Sequence, residues 1–95
     1  MPWVQIQRAE EATWEDYRRV TEAVGEGPVE GLLQHAAGEI DGHWRAVSVW
    51  ETKAAFERFR DMRLIPAVIS TLGQDFADAG PPPDEWFEIK HSLTT

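Results

Sequence analysis

The chain contains no cysteine, which removes disulfide frameworks, thiolate nucleophiles and Cys-ligated metals together. Lysine is almost missing too: Lys53 and Lys90 are the whole supply. Nine basic residues stand against seventeen acidic ones, for a net charge of −8. A surface that tracks phosphates needs clustered cations, so no nucleic-acid partner is expected. Arg58, Arg60 and Arg63 form a short basic run, but Glu57 and Asp61 interleave with it, as on a solvated helix face. No apolar run approaches the ~20 residues that cross a bilayer. The opening MPWVQIQRAEE lacks the basic-then-apolar order of a signal peptide, so no membrane partner is expected and the cytoplasm is the default location. A Gly-rich phosphate loop, a Gly-x-Ser-x-Gly elbow and a paired-carboxylate motif are all missing. His35, His43 and His91 share no metal-ligand spacing, so no metal is expected.

What is present reads as one globular domain over residues 1–95. A chain of that size buries roughly 60–65% of its unfolded surface, so its core is thin and a partner subunit would help it. Residues 3–8 alternate, with Val4 and Ile6 on one side and Trp3, Gln5 and Gln7 on the other, as in a half-buried strand. Thr13 can cap a helix with Asp16 three residues on, and Trp14, Tyr17, Val20 or Thr21, and Val24 give it an apolar stripe that Gly25 and Gly27–Pro28 end. Residues 30–37 and 43–50 read as an antiparallel pair around a turn made by GEID and Gly42. Thr52 caps a second helix carrying Ala55, Phe56 and Phe59, and Pro66 should interrupt it or start a new one. The segment GQDFADAGPPPDE reads as a loop, since three consecutive prolines do not sit in a sheet, and EWFEIKHSL as a last strand.

The order βαββαβ predicts an α+β, ferredoxin-like fold: a four-stranded antiparallel sheet with its helices on one face. Assigning the aliphatic Val4, Ile6, Val47, Val49, Phe87 and Ile89 to the helix-covered side puts Trp3, Gln5, Gln7, Trp44, Ala46, Ser48, Trp50, Trp86 and Glu88 on the other. Such a face would be an aromatic patch open to water, and two copies packing sheet to sheet would cover it. The space between would be a small-molecule pocket. Either Leu33, His35 and Ala37 or Leu32, Gln34 and Ala36 face that pocket, and an imidazole suits a polar-lined pocket better than an aliphatic layer.

GLLQHAAG, GHWRAVSVWETKAAFERFRDMRLIPAV and EWFEIKHSL resemble the dimeric α/β-barrel superfamily, in particular the small antibiotic-biosynthesis-monooxygenase-like proteins. The resemblance covers roughly residues 3–92, and VWETKAAFERF is its most specific part. It implies a homodimer formed through the sheet faces. It also implies several activities, among them cofactor-independent oxygenation of aromatic compounds, haem degradation, isomerisation and cyclisation, and fold alone does not choose between them. Haem-degrading members carry an asparagine on the first strand, a tryptophan on the second helix and a histidine about ten residues later. Here those positions hold Gln5 or Gln7, Phe59 and a residue near Ile69, so haem is not expected.

Cofactor-independent oxygenation needs an aromatic pocket and a few polar groups, and no cofactor. His35 is the candidate base or phenolate partner. Trp3, Trp44, Trp50 and Trp86 are the candidate stacking surfaces, and Gln5, Gln7 and Ser48 the groups that would orient oxygens. An enclosed cavity with His35 or Gln5 pointing into it would favour this reading. A barrel filled by indole rings would favour a non-catalytic dimer that only binds a small molecule or serves a structural role. His43 reads as a turn residue and His91 as a tail residue.

Overall fold

A computed structural model describes residues 2–80 and 84–92. The three prolines at 81–83 and the end of the last expected strand, Leu93, lie outside the described residues. Four strands, β1 (Trp3–Thr13), β2 (Leu32–Ile40), β3 (His43–Trp50) and β4 (Asp84–Glu88), form one sheet in the order β2-β3-β1-β4. Every neighbouring pair is antiparallel, which is the ferredoxin-like topology expected from the element order. The helices are α1 (Trp14–Val24), α2 (Lys53–Phe59), α3 (Ile65–Leu72) and the short α4 (Gln74–Asp78), with a π-helical turn at Arg60–Leu64 joining α2 to α3.

The local signals explain most boundaries. The Thr13 hydroxyl accepts from the Asp16 backbone N–H at 3.1 Å, and the Asp16 carboxylate accepts from the Thr13 N–H at 3.2 Å. That reciprocal pair satisfies two of the donors a helix start leaves open, with aspartate in the usual glutamate position. Thr52 caps α2 in the same way through the Ala55 N–H at 3.1 Å. Pro66 falls in the first turn of α3, immediately after the π-helical turn. The expected break there is instead a π-helical turn just upstream. The segment expected as a loop from Gly73 folds into α4 before its prolines.

The β2–β3 turn is tighter than the sequence suggests. β2 continues to Ile40, leaving a two-residue turn in which Asp41 (φ 52°) and Gly42 (φ 82°) both take positive φ. That is the Asp-Gly type I′ geometry whose twist matches antiparallel strands. The Gly42 carbonyl also accepts from the backbone N–H of Trp14 at 3.1 Å, which ties the start of α1 to the turn. Gly31, just before β2, has φ 82°, and a Cβ there would run into the Ala55 side chain.

Strand alternation sorts the residues into the two expected sets, but the helices cover the opposite set from the one expected. Gln5 (1% exposed), Ala46 (2%), Ser48 (3%) and Trp50 (3%) are buried beneath the helices. Val47 (46% exposed) and Phe87 (49%) lie on the open face. The reason is in the helices. α2 contributes Ala55, Phe56 and Phe59; the two phenylalanine rings pack on Trp50 at centroid distances of 5.5 and 5.8 Å, and Phe56 also meets Trp86 at 5.4 Å. Aromatic edges against aromatic faces bury more area than the same rings over valine would. Phe56 and Phe59 therefore cover the tryptophans, not Val47 and Val49.

Candidate functional site

The helix-covered face carries two polar–aromatic clusters. The first is closed. Gln5 on β1 lies across from Ser48 on β3 and Trp86 on β4. Its Oε1 accepts from the Trp50 indole N–H at 3.1 Å, and its Nε2 donates to Asp84 at 3.1 Å. The Trp86 indole N–H donates to the same Asp84 oxygen at 3.1 Å. Both ends of the Gln5 amide are thus engaged within the fold. At the rim, Lys53 Nζ sits 4.6 Å from the centre of the Trp3 ring. Gln7, across from Ala46 and Asp84, is half-buried at the edge of the same cluster.

The second cluster is open. His35 on β2 lies across from Ser48, so it and Ala37 share a side with the tryptophans, but that side is the helix-covered one and not the partner-facing pocket where His35 was expected; a register shift between Leu32 and Gln34 takes Leu33 out of the pattern. His35 Nδ1 lies 2.8 Å from Ser48 Oγ, and its Nε2 lies 2.6 Å from the Tyr17 hydroxyl. The Tyr17 ring stacks on Trp14 at 5.0 Å and tilts against Trp44 at 5.3 Å. Burial pushes the Tyr17 phenol above its ordinary pKa, opposed by a weaker hydrogen bond with Thr21. Partial burial holds the His35 imidazole below its ordinary value, although the residue keeps a solvent-exposed edge. Near neutral pH both groups are uncharged. The chain can run in two directions: Tyr17 donates to Nε2 while Nδ1–H donates to Ser48, or every donor reverses. Ser48 is 3% exposed, so it orients the imidazole and offers no nucleophile to a substrate.

Of the residues singled out in the sequence, the fold brings His35, Ser48 and Trp44 together and gathers Trp3, Gln5, Gln7, Trp50 and Trp86 into the other cluster. It adds Tyr17, Trp14 and Asp84. Tyr17 is the sole tyrosine and sits in the α1 stripe, where a phenol three residues after a tryptophan has a polar tip that aliphatic packing does not use. Asp84, at the end of the proline segment, had no such signal. His43 Nδ1 lies 3.2 Å from the Ala12 carbonyl beside the turn, and His91 is exposed. Two open clefts of about 340 and 230 Å³ lie elsewhere: one between α1 and α3, lined by Val24, Arg63 and Ala67, the other lined by Val29, Ala55 and Phe59. Neither is lined by His35 or Gln5, and the interior around Gln5 is filled by the Trp50 ring. Among the described residues, no group of three or more His, Cys, Asp or Glu side chains could hold a metal, and no helix is long and apolar enough to cross a membrane.

No protein-family model matches the chain, and no curated protein is significantly similar to it. Solved structures do match over nearly the whole length. A candidate antibiotic biosynthesis monooxygenase from Deinococcus radiodurans is 15% identical with a TM-score of 0.61, covering 100% of this chain and 98% of that one. A haem-degrading protein from Mycobacterium tuberculosis is 16% identical with a TM-score of 0.58, covering 99% and 100%. SnoaB, a cofactor-independent oxygenase from Streptomyces nogalater, is 18% identical with a TM-score of 0.53, covering 99% and 96%. At these identities the likeness establishes the fold, which is that of the antibiotic-biosynthesis-monooxygenase-like proteins. At the two positions compared with haem-degrading members, Phe59 packs on Trp50 and Ile69 is 37% exposed.

Proposed function

We propose that the protein is a homodimeric, cofactor-independent oxygenase acting on a hydroxylated aromatic small molecule. The observation that carries this reading is the Tyr17–His35–Ser48 chain: an imidazole oriented from behind by a buried hydroxyl and met by a phenol that itself packs on Trp14 and Trp44, with one edge open. A neutral imidazole so placed is a general base. His35 takes the proton of a ring hydroxyl. The resulting anion, delocalised onto a ring carbon, gives one electron to dioxygen. Superoxide and the substrate radical then combine in a C–O bond, and loss of water from the hydroperoxide leaves a carbonyl. Overall a ring CH2 and O2 become C=O and H2O, and the substrate supplies every electron. The protein's share is orientation and proton transfer.

Dimerisation is the second half of the proposal, and it uses the face opposite to the one first expected. Ile40, Val47 and Phe87 are each about half exposed, and with Val4, Ile6 and Val49 they share the helix-free side of the sheet. An apolar patch of that kind is covered most simply by its own copy about a twofold axis. The packed interior around Trp50 favours a second reading, a non-catalytic dimer. Oxygen uptake separates the two. With a panel of phenols, hydroquinones and anthrone-type substrates, the wild type should consume oxygen and His35→Ala should lose at least tenfold of that rate. Equal rates above buffer would remove His35 from the catalytic role; no rate above buffer would leave the non-catalytic reading standing.

A further inference from the structure

Tyr17 stands between His35 and anything that approaches from the α1 side, because the 2.6 Å contact to its hydroxyl occupies Nε2 while Ser48 occupies Nδ1. Both imidazole nitrogens are spoken for. A substrate proton reaches His35 without breaking this chain only through the Tyr17 oxygen. We propose that Tyr17 is the residue that meets the substrate, that it relays the substrate's hydroxyl proton to His35, and that the site therefore selects acidic enols and phenols, such as hydroxyquinones and enolised β-dicarbonyls. This rests on the general-base reading above and extends it to a contact residue and a substrate class.

The step balances as a double proton transfer. The substrate O–H bond breaks as a new O–H forms on the Tyr17 oxygen, and the original Tyr17 proton moves to Nε2. The imidazolium then donates from Nδ1 to Ser48 and from Nε2 to Tyr17, and the restored Tyr17 O–H donates to the substrate anion. Nothing is oxidised. A carboxylate in place of Tyr17 would repel that anion, whereas a protonated phenol holds it. The selection for acidic hydroxyls follows from the base: a neutral imidazole is a weak base and keeps a proton only from an acidic hydroxyl. Trp14 and Trp44 flank the phenol and offer planar surface to a planar ligand.

The test uses hydroxynaphthoquinone as probe, in anaerobic calorimetric titrations in several buffers of different ionisation enthalpy. It is an acidic enol and already oxidised, so binding and proton uptake are read with no oxygenation. Near neutral pH the probe enters as its anion, and the wild type should take up close to one proton per bound ligand (~1 from the relay scheme). Tyr17→Phe keeps the ring stack and removes the hydroxyl; it should bind about tenfold more weakly and take up no proton. His35→Gln should retain most of the affinity and also lose the uptake. The O-methyl ether of the probe should bind without uptake. Proton uptake unchanged in Tyr17→Phe, equal behaviour of the ether, or no binding by the wild type would each overturn the relay. Failure to find an oxygen-consuming substrate would count against the oxygenase and leave this measurement intact.

Discussion

Both faces of the sheet carry large apolar side chains and do opposite things with them. On the covered face, Trp50 and Trp86 pack against Phe56, and each polar group among them finds a protein partner through Gln5 and Asp84. On the open face, Val47 and Phe87, close in the sheet to those residues, lie about half in water. Burial in one case is finished within the chain; in the other it is left half complete. The polar groups follow the same division, because the Gln5 amide is engaged at both ends within the fold while the Tyr17–His35 pair keeps an open edge.

Four measurements can break or sharpen that contrast. Trp50→Ala removes the ring at the centre of the covered face and should cost about 3–5 kcal/mol in denaturant unfolding, close to the whole stability of a small domain. Gln5→Leu strands the Trp50 N–H and removes one donor from Asp84, and should cost about 1–3 kcal/mol by the same assay. A smaller loss would mean water takes over the amide's bonds. Val47→Asp combined with Phe87→Asp should change monomer stability by only about 0.5 kcal/mol. It should nevertheless convert a dimer into a monomer in light scattering; a wild type that is already monomeric would refute the open-face interface. The smallest effect is with pH. His35 binds a proton less readily folded than unfolded, so its contribution is present above the ordinary imidazole value of ~6.5 and is lost as pH falls toward its lower folded value. Tyr17 has the opposite sign and loses its contribution as pH rises from ~10 toward its higher folded value. His35→Gln should flatten the acid limb of the stability profile and leave the alkaline one.

How far this was legible from the residues depends on what each signal encodes. Alternation is a statement about parity, and parity placed Trp3, Gln5, Ser48, Trp50 and Trp86 together correctly. It carries no information about which side a helix will choose. That choice was made by Phe56 and Phe59, whose rings fit against indoles, and it reversed the faces. Capping chemistry at Thr13 and Thr52 was local and was read directly. The His35–Ser48 pairing became definite only through the tight turn, since aliphatic content alone left the β2 register open. Tyr17 was hidden because a helical stripe treats a phenol as one more aromatic, and its meeting with His35 is made by packing between elements 18 residues apart.

The Asp41–Gly42 turn governs more than the hairpin. Counting outward from it along both strands, His35 meets Ser48 by arithmetic, and the same glycine carbonyl anchors the first amide of the helix that delivers Tyr17. One inserted residue there would send either the imidazole or the serine hydroxyl to the opposite side of the sheet. The helix anchor would shift with it, so all three groups would part company though none had been altered. Two inserted residues would restore the parity. Descendants of this sequence can thus change the loop's length in even steps and keep the site, provided the new turn residues suit its geometry, while odd steps dismantle the site from a distance.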